Sequence, residues 1–231
     1  MSHAGPGFTF IERERAGSIP GTERSHRPTG NRQSAAFRGR IDGETNGGET
    51  NGRETNGMEH LKNLIRTIPD FPKPGIMFRD LTTLFLDPAG FKESVTAMAH
   101  EYRNAKVDMV VGIESRGFIV AGPIALELGV GFVPLRKAGK LPGEKLGVEY
   151  TLEYGTDRLE VHSDALRKGM RVLIVDDLIA TGGTMRAACD LVQQTGAEVA
   201  GVACLVELID LKGRELLKDY PCFHLIEFAG E

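Results

Sequence analysis

Two adjacent carboxylates, Asp176 and Asp177, stand directly before a run of small residues. The five residues before them, 171–175, read RVLIV and predict a short strand that is apolar enough to be buried on both faces. The small residues are Ala180, Thr181, Gly182, Gly183 and Thr184. Apolar residues then recur at helical spacing, which predicts a helix that begins near Gly183. A small-residue turn between a strand and a helix points backbone N–H groups at one spot, and such a spot binds phosphate.

The acidic pair distinguishes this turn from other phosphate-binding loops. The glycines are not followed by Gly-Lys-Ser/Thr, as in a Walker A loop, and the dinucleotide pattern GxGxxG is missing as well. Carboxylates repel phosphate, but they accept hydrogen bonds from vicinal hydroxyls. The combination therefore favours a sugar phosphate, with its diol on the carboxylates and its phosphate on the turn. The alternative is an ordinary strand–helix turn with solvated aspartates.

Residues 175–185, VDDLIATGGTM, resemble the phosphoribosyl-diphosphate loop of the type I phosphoribosyltransferases, in the version of their adenine-specific branch. The resemblance extends from about Met58 to the C-terminus, three quarters of the chain. It implies an α/β fold, a doubly wound parallel sheet with a small N-terminal hood. It also implies purine salvage, in which adenine and phosphoribosyl diphosphate give AMP and diphosphate. Asp176 and Asp177 would hold the ribose hydroxyls, and residues 180–184 the 5-phosphate.

A second predicted strand, residues 107–113, is also followed by a turn and a helix, so it forms a second candidate anion site. The turn reads Glu114-Ser115-Arg116-Gly117. In the resembled family this turn grips diphosphate through backbone amides and the arginine. The resemblance therefore implies that Ser115 and Arg116 hold diphosphate, with a strained peptide bond between Glu114 and Ser115.

Three cations, Arg136, Lys137 and Lys140, follow the next predicted strand, residues 130–135, among glycines and a proline. Charge runs are usually solvated surface. The position after a strand, in a chain with two candidate anion sites, favours instead a mobile, positively charged loop. This loop resembles the flexible lid of the family, which closes over the substrate and excludes water. The three cations would then neutralise the departing diphosphate.

The prolines in residues 70–80, DFPKPGIMFRD, predict extended backbone whose carbonyl and N–H groups can face a ligand. In the resembled family this segment forms the hood over the base. The resemblance implies that adenine lies against the backbone of Met77 and Arg79, with Phe78 as an apolar wall. Adenine suits such a site, because its amino group donates and its ring nitrogen accepts. An arm packed over a core is the alternative.

Glu153 lies in a predicted pair of strands, residues 147–156 and 159–162. In the resembled family this glutamate lies near the base, so the resemblance makes Glu153 the candidate catalytic residue, a proton donor or acceptor. Judged by the sequence alone, a single glutamate in a strand usually faces solvent.

Alternating strands and helices must position these residues. The remaining pattern predicts a short helix with Leu61, Leu64, Ile65 and Ile68 on one face, ended by Pro69, and a core helix over residues 91–102. It also predicts a buried strand over 199–206, a short helix around Leu211, Leu216 and Leu217, and a last strand over 223–226. Ligand turns after strand C-termini are expected in open α/β sheets.

Composition restricts the class of protein further. The chain has 231 residues, 41% of them hydrophobic, and a net charge of -4, which argues against nucleic acid as a partner. No run approaches the roughly 18 apolar residues of a membrane span, and no signal peptide is recognisable. Three cysteines in apolar surroundings without metal spacing indicate reduced thiols and a cytoplasmic protein. The resemblance implies Mg²⁺ bound mainly through the diphosphate, no metal site built from side chains, and a homodimer.

Residues 1–57 do not resemble the rest of the chain. They are rich in polar residues and glycine, without sustained periodicity, and residues 44–57 hold three copies of Glu-Thr-Asn-Gly. We interpret them as a disordered, low-complexity extension, or as a start-site artefact with Met58 as the true first residue. A tether or docking tail is a further alternative. Residues 58–231 are the predicted phosphoribosyltransferase domain.

Three other functions compete with adenine transfer. A phosphoribosyltransferase for another purine is one, but hypoxanthine–guanine relatives carry an acidic residue and a lysine after the loop, where this chain has Met185 and Arg186. A non-catalytic, phosphoribosyl-diphosphate-sensing regulator is the second, but residues 1–57 lack the helix-turn-helix pattern it needs. An interaction module is the third, and it leaves the three anion-binding turns unexplained.

Overall fold

The computed structural model of the chain describes residues 58–152 and 155–230. The predicted extension, residues 1–57, lies outside the described residues, as does the candidate catalytic residue Glu153.

A seven-stranded sheet forms the centre of the described structure, and a two-stranded sheet forms the hood. The strands are β1 (Arg66–Pro69), β2 (Met77–Asp80), β3 (Met109–Ile113), β4 (Gly131–Lys137), β5 (Lys145–Leu152), β6 (Gly155–His162), β7 (Arg171–Ile179), β8 (Glu198–Leu208) and β9 (Cys222–Phe228). The helices are α1 (Glu59–Asn63), α2 (Thr82–Leu86), α3 (Pro88–Tyr102), α4 (Gly117–Leu128) and α5 (Gly183–Gln194). Two 3₁₀ turns, Ile209–Leu211 and Gly213–Leu217, connect β8 to β9.

The central sheet has the strand order β5-β6-β4-β3-β7-β8-β9. The five strands from β4 to β9 in this order pair in parallel, while the β5–β6 hairpin joins the edge at β4 in antiparallel fashion. Helices cover both faces: α3 and α4 contact one hydrophobic cluster with Val110 and Leu173, and α5 contacts another with Val111 and Ile174. This arrangement confirms the predicted doubly wound parallel sheet.

Burial on both faces explains why the parallel strands are continuous apolar runs. Residues 172–175 of β7 have no measurable exposure, and neither have Val110 and Val111 of β3. An unbroken Val/Ile/Leu run satisfies two cores at once. Because β3 pairs in parallel with both β4 and β7, the C-terminal ends of these three strands lie side by side at one edge of the sheet.

The predicted helix around residues 61–68 is wrong in its second half. Helix α1 ends at Asn63, and Ile68 lies in β1, where it pairs with Phe78 of β2. The residue before a proline is disfavoured in a helix, and β-branched residues such as Thr67 and Ile68 favour strands. Pairing with β2, across the connecting segment of residues 70–76, therefore overrides the local helical spacing.

Two smaller corrections concern the connections. Arg136 and Lys137, predicted in a loop, are the last two residues of β4, where they pair with Glu160 and Leu159 of β6. The predicted short helix around Leu211–Leu217 is instead the pair of 3₁₀ turns. Both differences extend or tighten elements at the edge of the sheet that carries the candidate site.

Candidate active site

The acidic pair lies near the C-terminal end of β7. The strand is longer than predicted, so that Asp176 and Asp177 belong to it. The backbone N–H of Asp177 donates to Oδ1 of Asp176 at 2.9 Å. Asp176 lines a cavity of about 100 Å³ together with the loop of residues 180–184. The two parts that the sequence predicts to hold a ribose diol and a phosphate therefore border the same space.

The loop ends in the N-terminus of α5, as predicted. Gly182 is the N-cap in the left-handed region, with φ +83°, and α5 begins at Gly183. The first turns of a helix carry N–H groups without intrahelical acceptors and the positive end of the helix dipole. A phosphate in the cavity would meet these groups, which is the usual chemistry of helix N-termini.

The second predicted turn lies against the first. The peptide bond between Glu114 and Ser115 is cis, at the bond for which strain was predicted. Helix α4 begins at Gly117, and a Cβ there would stand 2.6 Å from Oδ1 of Asp176. Only a glycine lets the N-terminus of α4 approach the acidic pair so closely. The exposed Ser115 and the half-buried Arg116 occupy the turn between β3 and α4.

Arg116 connects three of the predicted subsites. Its Nε lies 2.6 Å from Oδ2 of Asp177. That oxygen is buried, and no donor reaches it with the geometry of a hydrogen bond, so the contact with Arg116 is an ion pair by distance alone. The guanidinium carbon also lies 5.7 Å from the ring centre of Phe78 in the hood. The diphosphate turn, the acidic pair and the hood thus converge on one side chain.

The surroundings of the acidic pair disfavour two negative charges. Asp176 keeps part of its surface open to the cavity, yet protein encloses it, and this desolvation, followed by repulsion from Asp177, raises the pKa of its carboxyl group well above the usual value. Burial also raises the pKa of Asp177, while the charge of Arg116 opposes the rise. A polar ligand that donates hydrogen bonds to the pair would relieve this cost.

The predicted lid cations converge on Glu114. Its carboxylate lies 3.1 Å from Nε of Arg136 and 2.6 Å from Nζ of Lys140, and it accepts from the backbone N–H of Lys137 at 2.9 Å. Burial raises the pKa of Glu114, but these three donors outweigh it and lower the value to about 2. Sequence reasoning missed this carboxylate as the centre of the cluster, although it is the acidic residue of the predicted diphosphate turn.

Lys137 makes a separate contact. Its Nζ lies 3.1 Å from Oδ2 of Asp157 on β6, and the hydroxyl of Tyr150 on β5 donates to the same oxygen at 3.3 Å. Neither Asp157 nor Tyr150 was predicted to join the lid cations, because side-chain contacts between β4 and the β5–β6 hairpin leave no periodic signal in the sequence. The lid cations therefore divide between two acceptors, Glu114 and Asp157.

The hood is a two-stranded antiparallel sheet in which Met77, Phe78 and Arg79 are paired with residues 67–69 of β1. Arg79 is buried; its Nη1 donates to Oγ1 of Thr67 at 2.8 Å, and its guanidinium lies 4.4 Å from the ring centre of Phe228. The side chain of Arg79 is thus engaged in contacts with other residues of the chain. Its backbone remains the part proposed to face a base.

Side chains that could bind a metal are sparse at the candidate site. Among residues 58–152 and 155–230, no group of three or more histidine, cysteine, aspartate or glutamate side chains could hold an ion. Mg²⁺ commonly takes one or two carboxylates and completes its shell with phosphate oxygens and water. The acidic pair beside the anion turns could supply such a carboxylate. In the same residues, no helix is long and apolar enough to cross a membrane.

The fold and the site together define a class of protein: an open α/β sheet with its candidate ligand turns beyond the C-terminal ends of its strands, where such folds bind their ligands. Comparison with known proteins narrows the class. The family model of the phosphoribosyl transferase domain matches residues 83–230. Adenine phosphoribosyltransferase of Desulfosudis oleivorans is 53% identical over 171 residues, covering 74% of this chain and 99% of that protein. The enzyme of Nostoc punctiforme is 56% identical over 170 residues, 73% and 99% of the two chains.

Solved structures agree with these sequence relatives. Adenine phosphoribosyltransferase of Thermoanaerobacter pseudethanolicus superposes with a TM-score of 0.72 at 49% identity, covering 74% of this chain and 99% of that one. The Saccharomyces cerevisiae enzyme, solved with an imino-altritol bisphosphate and adenine, has a TM-score of 0.69 at 43% identity, over 72% and 97% of the chains. The chain belongs to the phosphoribosyltransferase family, and within it to the adenine phosphoribosyltransferases.

Proposed function

We propose that this chain transfers the 5-phosphoribosyl group from phosphoribosyl diphosphate to adenine, giving AMP and diphosphate in purine salvage. The observation that carries the proposal is the convergence on Arg116, which lies 2.6 Å from the acidic pair and faces the hood at Phe78. A sugar phosphate, a diphosphate and a base would meet at this side chain. The names of the relatives supply adenine as the base.

In the proposed reaction, the bond from C1 of the ribose to the diphosphate oxygen breaks, and the bonding pair leaves with diphosphate. A ring nitrogen of adenine attacks C1 from the opposite face, and the base gives up its N–H proton. Asp176 and Asp177 accept hydrogen bonds from the ribose hydroxyls, while the loop of residues 180–184 holds the 5-phosphate. Positioning of the two reactants would supply much of the acceleration.

The developing negative charge on diphosphate needs cations. Ser115 and Arg116 are proposed to hold diphosphate at the N-terminus of α4, joined by Arg136, Lys137 and Lys140. For Arg136 and Lys140, diphosphate oxygens would replace the carboxylate of Glu114, which lies 3.1 and 2.6 Å from them. When bound, Mg²⁺ would neutralise part of the same charge.

The base would lie under the hood, against the backbone of Met77 and Arg79 and the ring of Phe78. Phe78 is half-buried and packs edge-on against Phe71, with ring centres 5.1 Å apart. This contact and the ties of Arg79 to Thr67 and Phe228 would hold the hood in register. Glu153, outside the described residues, is the proposed proton donor or acceptor.

The extent of the active domain, the location of the protein and its assembly are proposed from the similarity to the adenine phosphoribosyltransferases. Residues 58–231 would carry the whole activity, because the relatives match about this part of the chain. The enzyme would be a cytoplasmic homodimer. Size-exclusion chromatography with light scattering would test the assembly, and an intact-mass measurement on protein from the native host would show whether residues 1–57 are present.

One assay tests the activity. The full chain is incubated with phosphoribosyl diphosphate, Mg²⁺ and adenine, guanine, hypoxanthine or xanthine in turn, and nucleotide formation is followed by chromatography. AMP from adenine is the expected product, with the other bases poor substrates. Turnover of guanine but not adenine would overturn the base assignment, and no turnover of any base would favour the sensing regulator.

A further inference from the structure

The phosphate loop is in backbone contact with a segment distant in the sequence, the 3₁₀ turn Gly213–Leu217, here termed the supporting turn. A Cβ added at Gly213 would lie 2.2 Å from the carbonyl oxygen of Ala180 and 2.8 Å from the backbone nitrogen of Gly182. Conversely, a Cβ at Gly182 would lie 2.3 Å from the carbonyl oxygen of Gly213. Neither backbone can accept a methyl group, so the two segments touch directly.

A buried charged group holds the supporting turn in place. Glu207, at the end of β8, is 4% exposed; its Oε1 accepts from Nε of Arg214 at 3.3 Å, and its Oε2 accepts from Nη2 at 2.7 Å. Nδ1 of His224 lies 2.8 Å from the same carboxylate, and Nη1 of Arg214 donates to the carbonyl of Cys222 at 3.1 Å. A bidentate arginine fixes orientation as well as distance. The residue next to Gly213 is therefore fixed to both β8 and β9.

Glu207 is also in register with β7, the strand that leads into the phosphate loop. Glu207 pairs with Ile179, the last residue of β7, immediately before Ala180. On the other side of the loop, Arg186 in the first turn of α5 donates to the carbonyl of Leu216 at 3.5 Å and lies 5.8 Å from the ring centre of Tyr220. The supporting turn thus contacts the loop itself and the helix that follows it.

We propose that Gly213 and Arg214 are positioning residues for phosphoribosyl diphosphate. An anion-binding turn made of small residues has little side-chain packing of its own, and its N–H groups bind well only when they are held in the right geometry. Gly213 limits how far the loop can move away from the cavity, and the Arg214–Glu207 pair fixes Gly213. The inference rests on the proposed function, because it assigns these residues to the phosphate half of that site.

The test compares Gly213→Ala with Gly122→Ala in the full chain. Gly122 lies in α4, and a Cβ there meets nothing within 4 Å, so the control adds the same methyl group in open space. Steady-state kinetics with Mg²⁺ gives separate KM values for phosphoribosyl diphosphate and adenine. We expect Gly213→Ala to raise the KM for phosphoribosyl diphosphate about 10-fold or more, because a methyl group this close to the backbone of Ala180 and Gly182 must displace the loop by roughly 1 Å. The KM for adenine should stay within about twofold, because the weakened hydrogen bonds are those of the phosphate loop.

Arg214→Gln and Arg214→Lys test the same proposal without adding a methyl group between Gly213 and the phosphate loop. We expect Arg214→Gln to raise the same KM by a smaller factor and Arg214→Lys to restore part of it, because lysine keeps the charge but not the bidentate geometry. These variants decide the question if Gly213→Ala does not fold. Unchanged KM values in all folded variants, or parallel rises for both substrates, would overturn the proposal. An inactive parent chain would instead overturn the proposed function.

Discussion

The two regions proposed to bind the phosphates of the substrate are built in opposite ways. The loop of residues 180–184 uses backbone and glycine contacts: it continues from a buried strand, ends in a helix and touches Gly213 without room for a methyl group. The lid cations use side chains, and Arg136 and Lys140 are paired with Glu114. The 5-phosphate stays with the sugar through the reaction, whereas diphosphate must leave. A fixed site suits the first group, and an exchangeable set of charge pairs suits the second.

The largest effect should come from the fixed region. Asp176→Asn with Asp177→Asn is expected to lower kcat/KM by roughly 10³-fold, because it removes the charged acceptors for the ribose hydroxyls. Burial raises the pKa of both carboxyl groups, which means that folding carries a cost for their charged forms above those pKa values. Removing the charges should therefore leave the Tm at pH 7 unchanged or raise it. Steady-state kinetics measures the change in kcat/KM, and calorimetry measures the change in Tm.

The control for the double variant is Asp190→Asn in α5, where the partly exposed carboxylate pairs with Arg186 at 2.9 Å. Surface pairs of this kind contribute little to stability. Retention of activity in the double variant would contradict the assignment of the diol. A large fall in its Tm would contradict the inference from the pKa shifts.

The basic lid should lose less activity and depend more on salt. Arg136→Gln with Lys140→Gln is expected to lower kcat/KM about 10- to 100-fold, because other cations and Mg²⁺ share the charge of diphosphate. Lys140 is about half exposed, so added salt should screen its contribution in the parent chain. The measurement is kcat/KM between roughly 0.05 and 0.5 M KCl, a range that spans the concentration of 0.1 M at which the Debye length is roughly 10 Å. The double variant should show a shallower salt dependence than the parent, and an equal dependence would contradict the lid assignment.

Features that depend on neighbouring residues could be predicted from the sequence, whereas features that depend on contacts between separate segments could not. The acidic pair, the small-residue turn and the start of α5 at Gly183 are local, and buried strand, turn and helix signals agree there. The helix around residues 61–68 was mispredicted because β1 is decided by its pairing with β2, ten residues away. The link between Lys140 and Glu114 spans 26 residues, and periodicity carries no information about it.

The same reasoning separates two kinds of glycine. Gly182 was predicted as part of the phosphate turn, from its neighbours in the sequence. Gly213 was not, because only the three-dimensional structure brings its backbone against Ala180 and Gly182. Contacts made by backbone atoms leave almost no trace in residue type beyond the glycine itself.

The smallest expected effect concerns Glu114. It tests whether diphosphate replaces this carboxylate on the lid cations, which is the property that distinguishes the lid from the phosphate loop. If its carboxylate and diphosphate compete for Arg136 and Lys140, Glu114→Gln should strengthen inhibition by added diphosphate about two- to fivefold, since charge-assisted bonds are about twice as strong as neutral ones. Product inhibition at fixed substrate measures this. Glu198→Gln is the control, because Glu198 pairs with Arg171 at 3.7 Å at the N-terminal ends of β8 and β7, opposite the candidate site. Weaker inhibition in Glu114→Gln alone would show that Glu114 orients the cations and does not compete for them.

The acid stability of the same variant gives an independent readout. The pKa of Glu114 is lowered from 4.5 to about 2 in the folded chain, so its contribution to stability is fully present above about pH 4.5 and is lost as the pH falls towards 2. Glu114→Gln should therefore flatten the fall in Tm over this window relative to the parent chain. Glu207, with a pKa also lowered to about 2, keeps its own contribution in that variant, so part of the fall should remain. An unchanged pH profile would mean that the three donors do not hold Glu114 in solution, and the lid would then lack the pairing that distinguishes it from the phosphate loop.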